Sequence, residues 1–181
     1  MNVATDSELR YPIGSFQRVE TPLAPQRRLE LINDVEAVAA KYRAAVEGLS
    51  PAQLGTPYRP GGWTVAQTVH HVADSHMNSY VRYKLALTEE EPVIKPYDEA
   101  AWANLADSSM PVEVSLTLLE MLHQRWVALL RALTPEQWNR SYKHPERGLM
   151  NLDQTLALYS WHGNHHLAHI TELSRRMGWH V

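Results

Sequence analysis

The sequence predicts an all-α protein, an antiparallel four-helix bundle, and three observations support this. Four segments repeat apolar residues at steps of three and four, which is the spacing of one face of a helix. No segment is convincing as a strand, and the connections between the four segments are irregular, as in helical bundles. The length of 181 residues suits one domain with a sizeable core. We therefore predict a single bundle domain over residues 1–181.

Local signals set the bounds of the predicted elements. Residues 1–25 contain three prolines and little periodicity, which indicates an extended N-terminal arm. Capping residues at Thr64 and Asn151 begin two of the long helices. The predicted long helices run from near Gln26 to near Gly48, from Thr64 to about Thr88, from about Val112 to Leu133, and from about Leu152 to Met177.

The chain repeats one pattern in its two halves. A proline-containing cap at Ser50 resembles one at Thr134, and after an irregular stretch Thr64 resembles Asn151. Each half therefore has the pattern of a long helix, a short capped helix, a loop and a second long helix. This places the second and fourth long helices in equivalent positions.

The composition excludes several classes of protein. A formal net charge of −3 and a pI near 6.4 give no basic excess for phosphates, so we predict no nucleic-acid and no membrane partner. The absence of cysteine excludes disulfides, thiolate metal ligands and a cysteine nucleophile. No apolar run approaches the roughly 20 residues of a membrane span, and the N-terminal sequence lacks the layout of a signal peptide. We predict a cytoplasmic protein.

Histidine is the distinctive residue type of the sequence. There are ten histidines, and seven of them fall in two windows, one in the second and one in the fourth predicted helix. They are His70, His71 and His76 in the first window, and His162, His165, His166 and His169 in the second.

The fourth helix offers two pairs of histidines spaced four residues apart. Residues at this spacing lie on one face, about 6 Å apart along the axis, so two imidazoles can bind one ion. His166 falls in the predicted core stripe and His162 at its edge. The other pair, His165 and His169, continues into a charged face that includes Arg176. We expect the first pair to point inward and the second pair to lie at the rim or outside.

A third ligand has to come from another helix. On the second helix, His71 belongs to a polar stripe beside the apolar face, which suits a water-lined cavity, whereas His70 lies with apolar neighbours. This geometry favours His71 and leaves His70 open. Gly163 follows His162 directly, so the chain lacks the glutamate base of an HExxH motif.

Five polar residues near these histidines are candidates for supporting roles. By helix position, Asp74, Asn78 and Glu172 can orient the imidazole rings, although helix caps and surface groups are equally common roles for them. Asp98 and Glu99 lie in the long loop predicted between the second and third helices. Loops longer than about 12–15 residues are often functional, and these two carboxylates can reach the open face of the site as a base or a substrate contact.

The histidine segments closely resemble those of the YfiT branch of the DinB-like superfamily. The resemblance runs from about Tyr11 to Trp179, and its long ungapped segments make it more specific than a lone pair of histidines. The segments that carry it are Tyr11–Gly14, Gly61–Val65, His70–Tyr80, Lys95–Asp98 and Trp161–Leu173.

This resemblance implies a four-helix bundle with one divalent ion held by His71, His162 and His166. It agrees with the spacing argument at the last two positions and decides for His71 over His70. It also implies a metal-dependent hydrolase, or a transferase that joins bacillithiol or mycothiol to electrophiles, and a homodimer. It carries no general base over to this chain.

Three imidazole ligands leave a coordination position open, as in catalytic metal sites. A water or thiol bound there has a lowered pKa and can attack a small-molecule substrate. Zinc is the first choice for such ligands, and nickel is also suited to them. The competing hypotheses are a metal-binding stress-response module without catalysis and a structural bundle without a metal.

Overall fold

Four long helices form the bundle in the computed structural model, which describes residues 5–179. The predicted four-helix bundle is confirmed, and each long helix begins and ends within two residues of its predicted bounds. In chain order the described elements are α1 (Asp6–Arg10), α2 (Pro25–Val46), α3 (Pro51–Leu54), α4 (Val65–Thr88), α5 (Glu99–Trp102), α6 (Val112–Ala132), α7 (Pro135–Trp138), β1 (Ser141–His144), β2 (Gly148–Asn151) and α8 (Leu152–Met177).

Of the four pairs of neighbouring long helices, two are antiparallel and two are parallel. The sequence analysis had predicted an antiparallel bundle. Helices α2 and α4 each pack against both α6 and α8, so they lie diagonally opposite one another. Hydrogen bonds between the helices show that α2 is antiparallel to α6 and that α4 is antiparallel to α8. The parallel directions follow from Arg28–Asp153 and Tyr42–Gly163 between α2 and α8, and from His70–Ser115 and His76–His123 between α4 and α6.

The long loop between α4 and α6 makes the parallel arrangement possible. Two parallel helices that follow one another need a connection that returns along their length. Ile94 hydrogen-bonds Lys143 of the hairpin, near the end of α4, whereas the carbonyl of Ala103 accepts from Gln67 in the first turn of α4. The loop therefore runs along α4 and includes the short helix α5.

Two short helices occupy equivalent places in the two halves of the chain. Ser50 caps α3 and Thr134 caps α7, each with a reciprocal capping box and with proline at the first helical position. Thr64 and Asn151 also cap α4 and α8 with reciprocal capping boxes, without the proline. The repeated pattern of the sequence is thus a repeated local structure.

A β-hairpin precedes α8, although the sequence analysis found no convincing strand. Strands β1 and β2 pair in an antiparallel register from Ser141 opposite Asn151 to His144 opposite Gly148. Each strand has only four residues, too few to show a clear alternation of apolar and polar residues. Gly148 supplies the positive φ of 71° at the turn.

The N-terminal arm is only partly extended. Helix α1 interrupts it, because Thr5 and Glu8 form a capping box that begins a short helix. The first four residues of the predicted arm lie outside the described residues. The arm folds back on the bundle, since the carbonyl of Arg10 lies 3.0 Å from His169 Nε2 on α8.

The core consists of two apolar clusters with a layer of histidines between them. The cluster around Trp126 and Leu156 fills one end of the bundle, and the cluster around Tyr42 and Leu119 fills the other. Helices α4, α6 and α8 contribute histidines between these clusters. Over residues 5–179, no helix combines the length and apolar character that a membrane span requires.

Candidate metal centre

Three histidines from two helices converge in the middle of the bundle, and we call His71, His162 and His166 the histidine triad. One nitrogen from each ring lies within 4.8 Å of the others, and His71 Nε2 is 3.3 Å from His162 Nε2. His71 is buried and the other two rings are half-buried. Their spacing on α8, four residues apart, places His162 and His166 on the same face toward α4, as the sequence predicted.

The triad has the chemistry of a divalent-metal site. Burial lowers the pKa of His71 to about 4 and lowers those of His162 and His166 well below the usual range, so their lone pairs are free at neutral pH. A tetrahedral ion at 2.0–2.1 Å from its nitrogens holds them about 3.3 Å apart, which matches the Nε2–Nε2 distance. Two facing imidazoles share at most one proton, whereas an ion satisfies all three rings. The residues fit the metal.

Gly163 lets α8 approach α2 closely beside the triad. A Cβ at this position would lie 2.8 Å from Cγ2 of Val38, too close for an ordinary contact. The hydroxyl of Tyr42 donates to the carbonyl of Gly163 at 2.9 Å. This contact fixes the helix segment between His162 and His166.

Trp63 covers one side of the triad. The turn at Gly61 and Gly62 precedes the cap of α4 and directs the indole over the histidines. Its ring centroid lies 4.4 Å from that of His71 and 6.0 Å from that of His166. The indole therefore shields these two rings from water.

His165 and His169 are buried, so the expectation that they lie at the rim or outside is wrong. Tyr58 stacks on His169 with centroids 4.0 Å apart, and Tyr11 lies 6.0 Å from His165. The N-terminal arm and the segment before α4 thus cover a face of α8 that would otherwise be solvated. Helical periodicity could not reveal segments that pack on this face from elsewhere in the chain.

These covered rings form a second possible ligand group with His166. One nitrogen from each of His165, His166 and His169 lies within 4.8 Å of the others. However, His169 Nε2 is already 3.0 Å from the carbonyl of Arg10, and all three residues lie on one helix. The histidine triad differs because its ligands come from two helices, α4 and α8.

A chain of buried histidines supports the triad from the side opposite Trp63, and sequence reasoning assigned it no role. His162 Nδ1 lies 3.4 Å from His76 Nε2, and His76 Nδ1 lies 2.8 Å from His123 Nε2. His76 was visible in the first histidine window, but His123 stands alone in its helix. No signal in the sequence shows that α4 and α6 face each other at His76 and His123.

The three predicted supporting residues make other contacts. Asn78 donates to the main-chain carbonyl of Asp74, and Glu172 pairs with Arg175 on the surface. Burial and then the charge of Asp107 raise the pKa of the Asp74 carboxyl to about 6. Within residues 5–179, none of the three hydrogen-bonds a member of the triad, and their proposed roles there stay predictions.

A polar cavity of about 450 Å³ adjoins the triad. Ser75 connects the cavity to the triad, because it lines the cavity and its Oγ lies 3.4 Å from His162 Nε2. The aromatic ring of Tyr159 also lines the cavity and contacts His162. The other polar residues of its wall are Arg82, Tyr97, Asp98, Glu99, His144, Glu146 and Arg147.

The cavity wall distinguishes the two loop carboxylates. Asp98 caps α5, since its Oδ1 accepts from the backbone of Ala101 at 2.9 Å. Glu99 makes no such contact, and burial raises the pKa of its carboxyl above the usual range, with nearby charges of both signs as smaller causes. Glu99 is therefore the freer of the two to exchange protons in the cavity.

Comparison with known proteins finds relatives along nearly the whole chain. A Bacillus subtilis protein named "Putative metal-dependent hydrolase YfiT" is 53% identical over 177 residues, which are 97% of this chain and 99% of that protein. An Oceanobacillus iheyensis protein, named "Putative metal-dependent hydrolase OB0782", is 51% identical over 94% of this chain and 98% of its own length.

Solved structures show the same fold. The structure of Bacillus subtilis YfiT superposes with a TM-score of 0.93 at 52% identity, covering 96% of this chain and 99% of that one. It is described as a probable metal-dependent hydrolase with an unusual four-helix bundle topology. A second structure, described as a four-helix bundle protein, has a TM-score of 0.54 at 21% identity, covers 77% of this chain and 94% of its own, and supports the fold alone.

The family follows from the extent of these matches. Residues 34–170, most of the chain and all three members of the triad, match the DinB superfamily. The chain belongs to the DinB superfamily.

Proposed function

We propose that the protein is a metal-dependent enzyme that activates a water molecule or a small thiol at the histidine triad for attack on an electrophilic substrate. The observation that carries the proposal is the convergence of three neutral imidazoles beside a polar cavity. The ion is one per chain, zinc by preference and nickel as the other candidate. The names of the relatives support hydrolysis.

The ligand set favours a catalytic over a structural ion. Structural zinc sites are closed by four protein ligands, often cysteines, and this chain has no cysteine. The triad supplies three ligands, and Ser75 joins it to the cavity. A divalent ion held there lowers the pKa of a water or thiol that enters its remaining coordination position.

The protein's own residues complete the reaction. His71, His162 and His166 would hold the ion, and Trp63 excludes water from one side of the rings. Glu99 accepts the proton that the nucleophile releases, because it lines the cavity and its carboxyl has a raised pKa. In hydrolysis the water oxygen bonds to the acyl carbon and the acyl–leaving-group bond breaks. In thiol transfer the sulfur bonds to carbon and the leaving group departs.

The substrate partner is a small molecule, because the cavity has the volume of a small-molecule site. The thiol, if the reaction is transfer, is bacillithiol or a related thiol, as the family resemblance implies. The same resemblance supports a homodimer.

The test combines metal analysis with two kinds of assay. Metal-loaded protein is mixed with bacillithiol and a bimane electrophile, and separately with a panel of ester and amide substrates. We expect turnover in one of the two arms and its loss in His71→Ala. Full metal occupancy without turnover in either arm would contradict the enzyme and leave a metal-binding module as the better description.

A further inference from the structure

Arg82 is a buried cation without a carboxylate partner. Only 8% of the residue is exposed, and it lies in the wall of the polar cavity. Its Nη1 donates to the hydroxyl of Tyr159 at 3.3 Å, and no acidic residue in the part of the chain described pairs with it. Arg28, which is also largely buried, shows the usual solution, since Asp153 pairs with it through two hydrogen bonds.

A buried guanidinium without an ion pair is unfavourable, because part of its hydration has been removed and no carboxylate hydrogen-bonds it in return. Glu99 lines the same cavity, and the charge of Arg82 lowers the pKa of its carboxyl, but no ion pair joins the two side chains in the part of the chain that the structure describes. The guanidinium therefore has donors that point into the cavity without a protein acceptor.

Two phenols add further donors to the same space. The hydroxyl of Tyr97 is buried near Ser75, and no acceptor among the described residues lies at full hydrogen-bond geometry to it. Tyr159 uses its oxygen to accept from Arg82, so its own hydrogen remains available. Burial raises the pKa of Tyr97, so this phenol keeps its proton at neutral pH. The cavity wall, which also holds the carboxylates of Asp98, Glu99 and Glu146, therefore presents three neighbouring donors that these carboxylates do not pair with.

The position of Arg82 relates these donors to the metal centre. Arg82 and Ser75 lie on α4 two turns apart, a separation of about 10 Å along the axis. Ser75 contacts His162, and both Ser75 and Arg82 line the cavity. A small molecule whose two ends are several bonds apart can therefore reach the triad and Arg82 together.

We infer that the cavity binds a carboxylate group of the substrate, with Arg82 as its principal partner and Tyr97 and Tyr159 as additional donors, while the reacting end of the molecule lies at the histidine triad. This inference rests on the proposed function. A carboxylate accepts two parallel hydrogen bonds from a guanidinium. A phosphate dianion fits less well, because Glu99 lines the same cavity and would repel the second charge.

Equilibrium binding to the metal-loaded full chain tests the inference without any need for turnover. Succinate and its neutral diamide, succinamide, have similar size and differ in charge. We expect wild type to bind succinate at least about tenfold more tightly than succinamide, because hydrogen bonds to a charged group are worth about 1.5–3 kcal/mol. Equal binding of the two probes overturns the inference.

Two single variants test whether succinate binds at Arg82. Arg82→Gln should weaken succinate binding about tenfold and leave succinamide unchanged. Arg125→Gln removes an exposed arginine that lies over Tyr80, outside the cavity, and should leave both probes unchanged. Unchanged succinate binding in Arg82→Gln overturns the inference, because the carboxylate would then be held elsewhere, for example at the ion.

One further variant and one further probe complete the test. Tyr97→Phe preserves the ring and removes one donor, so it should weaken succinate binding about two- to fivefold even if Arg82→Gln does not fold. Inorganic phosphate should bind more weakly than succinate, and tighter phosphate binding overturns the assignment to a carboxylate. Arg82-dependent binding without turnover in any assay would contradict the proposed function and leave the anion site standing.

Discussion

His76 Nε2 lies 3.4 Å from Nδ1 of His162, a member of the histidine triad. On its other side, His76 Nδ1 lies 2.8 Å from His123 Nε2. If His162 binds a metal through Nε2, its proton is on Nδ1, and His76 accepts that proton while it donates to His123. The chain of three rings thus fixes one tautomer of His162 and holds its plane.

Replacement of His76 by phenylalanine should weaken metal binding. His76→Phe keeps a ring of similar size but removes the acceptor for His162 Nδ1. We expect the metal dissociation constant to rise about 10–100-fold, the range for loss of a residue that orients a ligand, while one ion still binds at saturation. Competition with a chromophoric chelator measures the constant.

The control for this variant is His70→Phe. His70 is a buried neighbour on the same helix, but its ring contacts Ser115 and the carbonyl of Met110 instead of the triad. It should bind metal as tightly as wild type. Equal affinity in His76→Phe and His70→Phe would show that the histidine chain does not orient His162.

Metal stoichiometry should distinguish the two histidine groups. His71→Ala removes a ligand of the triad only, and His169→Ala removes a ligand of the second group only. We expect elemental analysis of untagged protein to give one ion per chain in wild type and in His169→Ala, and almost none in His71→Ala. The opposite result would place the ion in the second group, and two ions in wild type would mean that both groups bind metal.

The sequence predicted those features of the site that arise within a single helix. The spacing of His162 and His166 determines that they share a face, because four residues make about one helical turn. The burial of His165 was not predictable in this way, since Tyr11 reaches it from the opposite end of the chain. A pattern within one helix reports its own faces but not which segments cover them.

The same limit applies to the arrangement of helices. Periodicity indicated four long helices with nearly correct bounds, but it carries no information on their order around the bundle. The contact between His76 and His123 depends on α4 and α6 being parallel neighbours. The length of the loop at residues 89–111 was the one sign in the sequence that α4 and α6 are parallel, because parallel neighbours need a long connection.

The metal-free protein should lose stability as the pH falls from 6.5 to 4. Burial lowers the pKa values of His71, His123 and His165 to about 4 in the folded protein, against an ordinary value of 6.5. Below pH 6.5 the unfolded chain therefore binds more protons than the folded one, and stability rises with pH. The free energy of unfolding should fall by about 1.4 kcal/mol per pH unit for each such histidine.

Urea denaturation at intervals from pH 7.5 to pH 5 measures this dependence. The stability should be constant above about pH 6.5 and decrease below it. His123→Gln removes one of the titrating groups and should make the decrease less steep by one proton. A midpoint that does not change between pH 7 and pH 5 would contradict the neutral state of the buried rings.

The two loop carboxylates should differ in their effects on the reaction. Glu99→Gln removes the proposed proton acceptor without changing the side-chain shape, so we expect kcat to fall about 10²–10⁴-fold. Asp98→Asn retains an oxygen that can cap α5, so it should change kcat little. Equal losses in the two variants would indicate a structural effect of the loop and contradict a specific role for Glu99.

Substitution of Gly163 should test the close approach of α8 to α2. In Gly163→Ala, the gain in helix propensity of about 1 kcal/mol opposes the overlap of the new Cβ with Val38 Cγ2, which lies at 2.8 Å. Overpacking in a dense core costs about 1–3 kcal/mol, so the variant should be less stable by up to about 2 kcal/mol. It should also bind metal more weakly, because the displaced segment carries His162 and His166.

A double-mutant cycle isolates the overlap. Val38→Ala removes both methyl groups nearest to the new Cβ, which lie at 2.8 and 3.4 Å. Val38→Ala alone should be destabilising, but in its presence Gly163→Ala should become neutral or stabilising, because only the gain in helix propensity remains. Thermal or urea unfolding of the four proteins gives the coupling energy. If Gly163→Ala stabilises the otherwise unchanged protein, the contact between α2 and α8 is looser than these distances require.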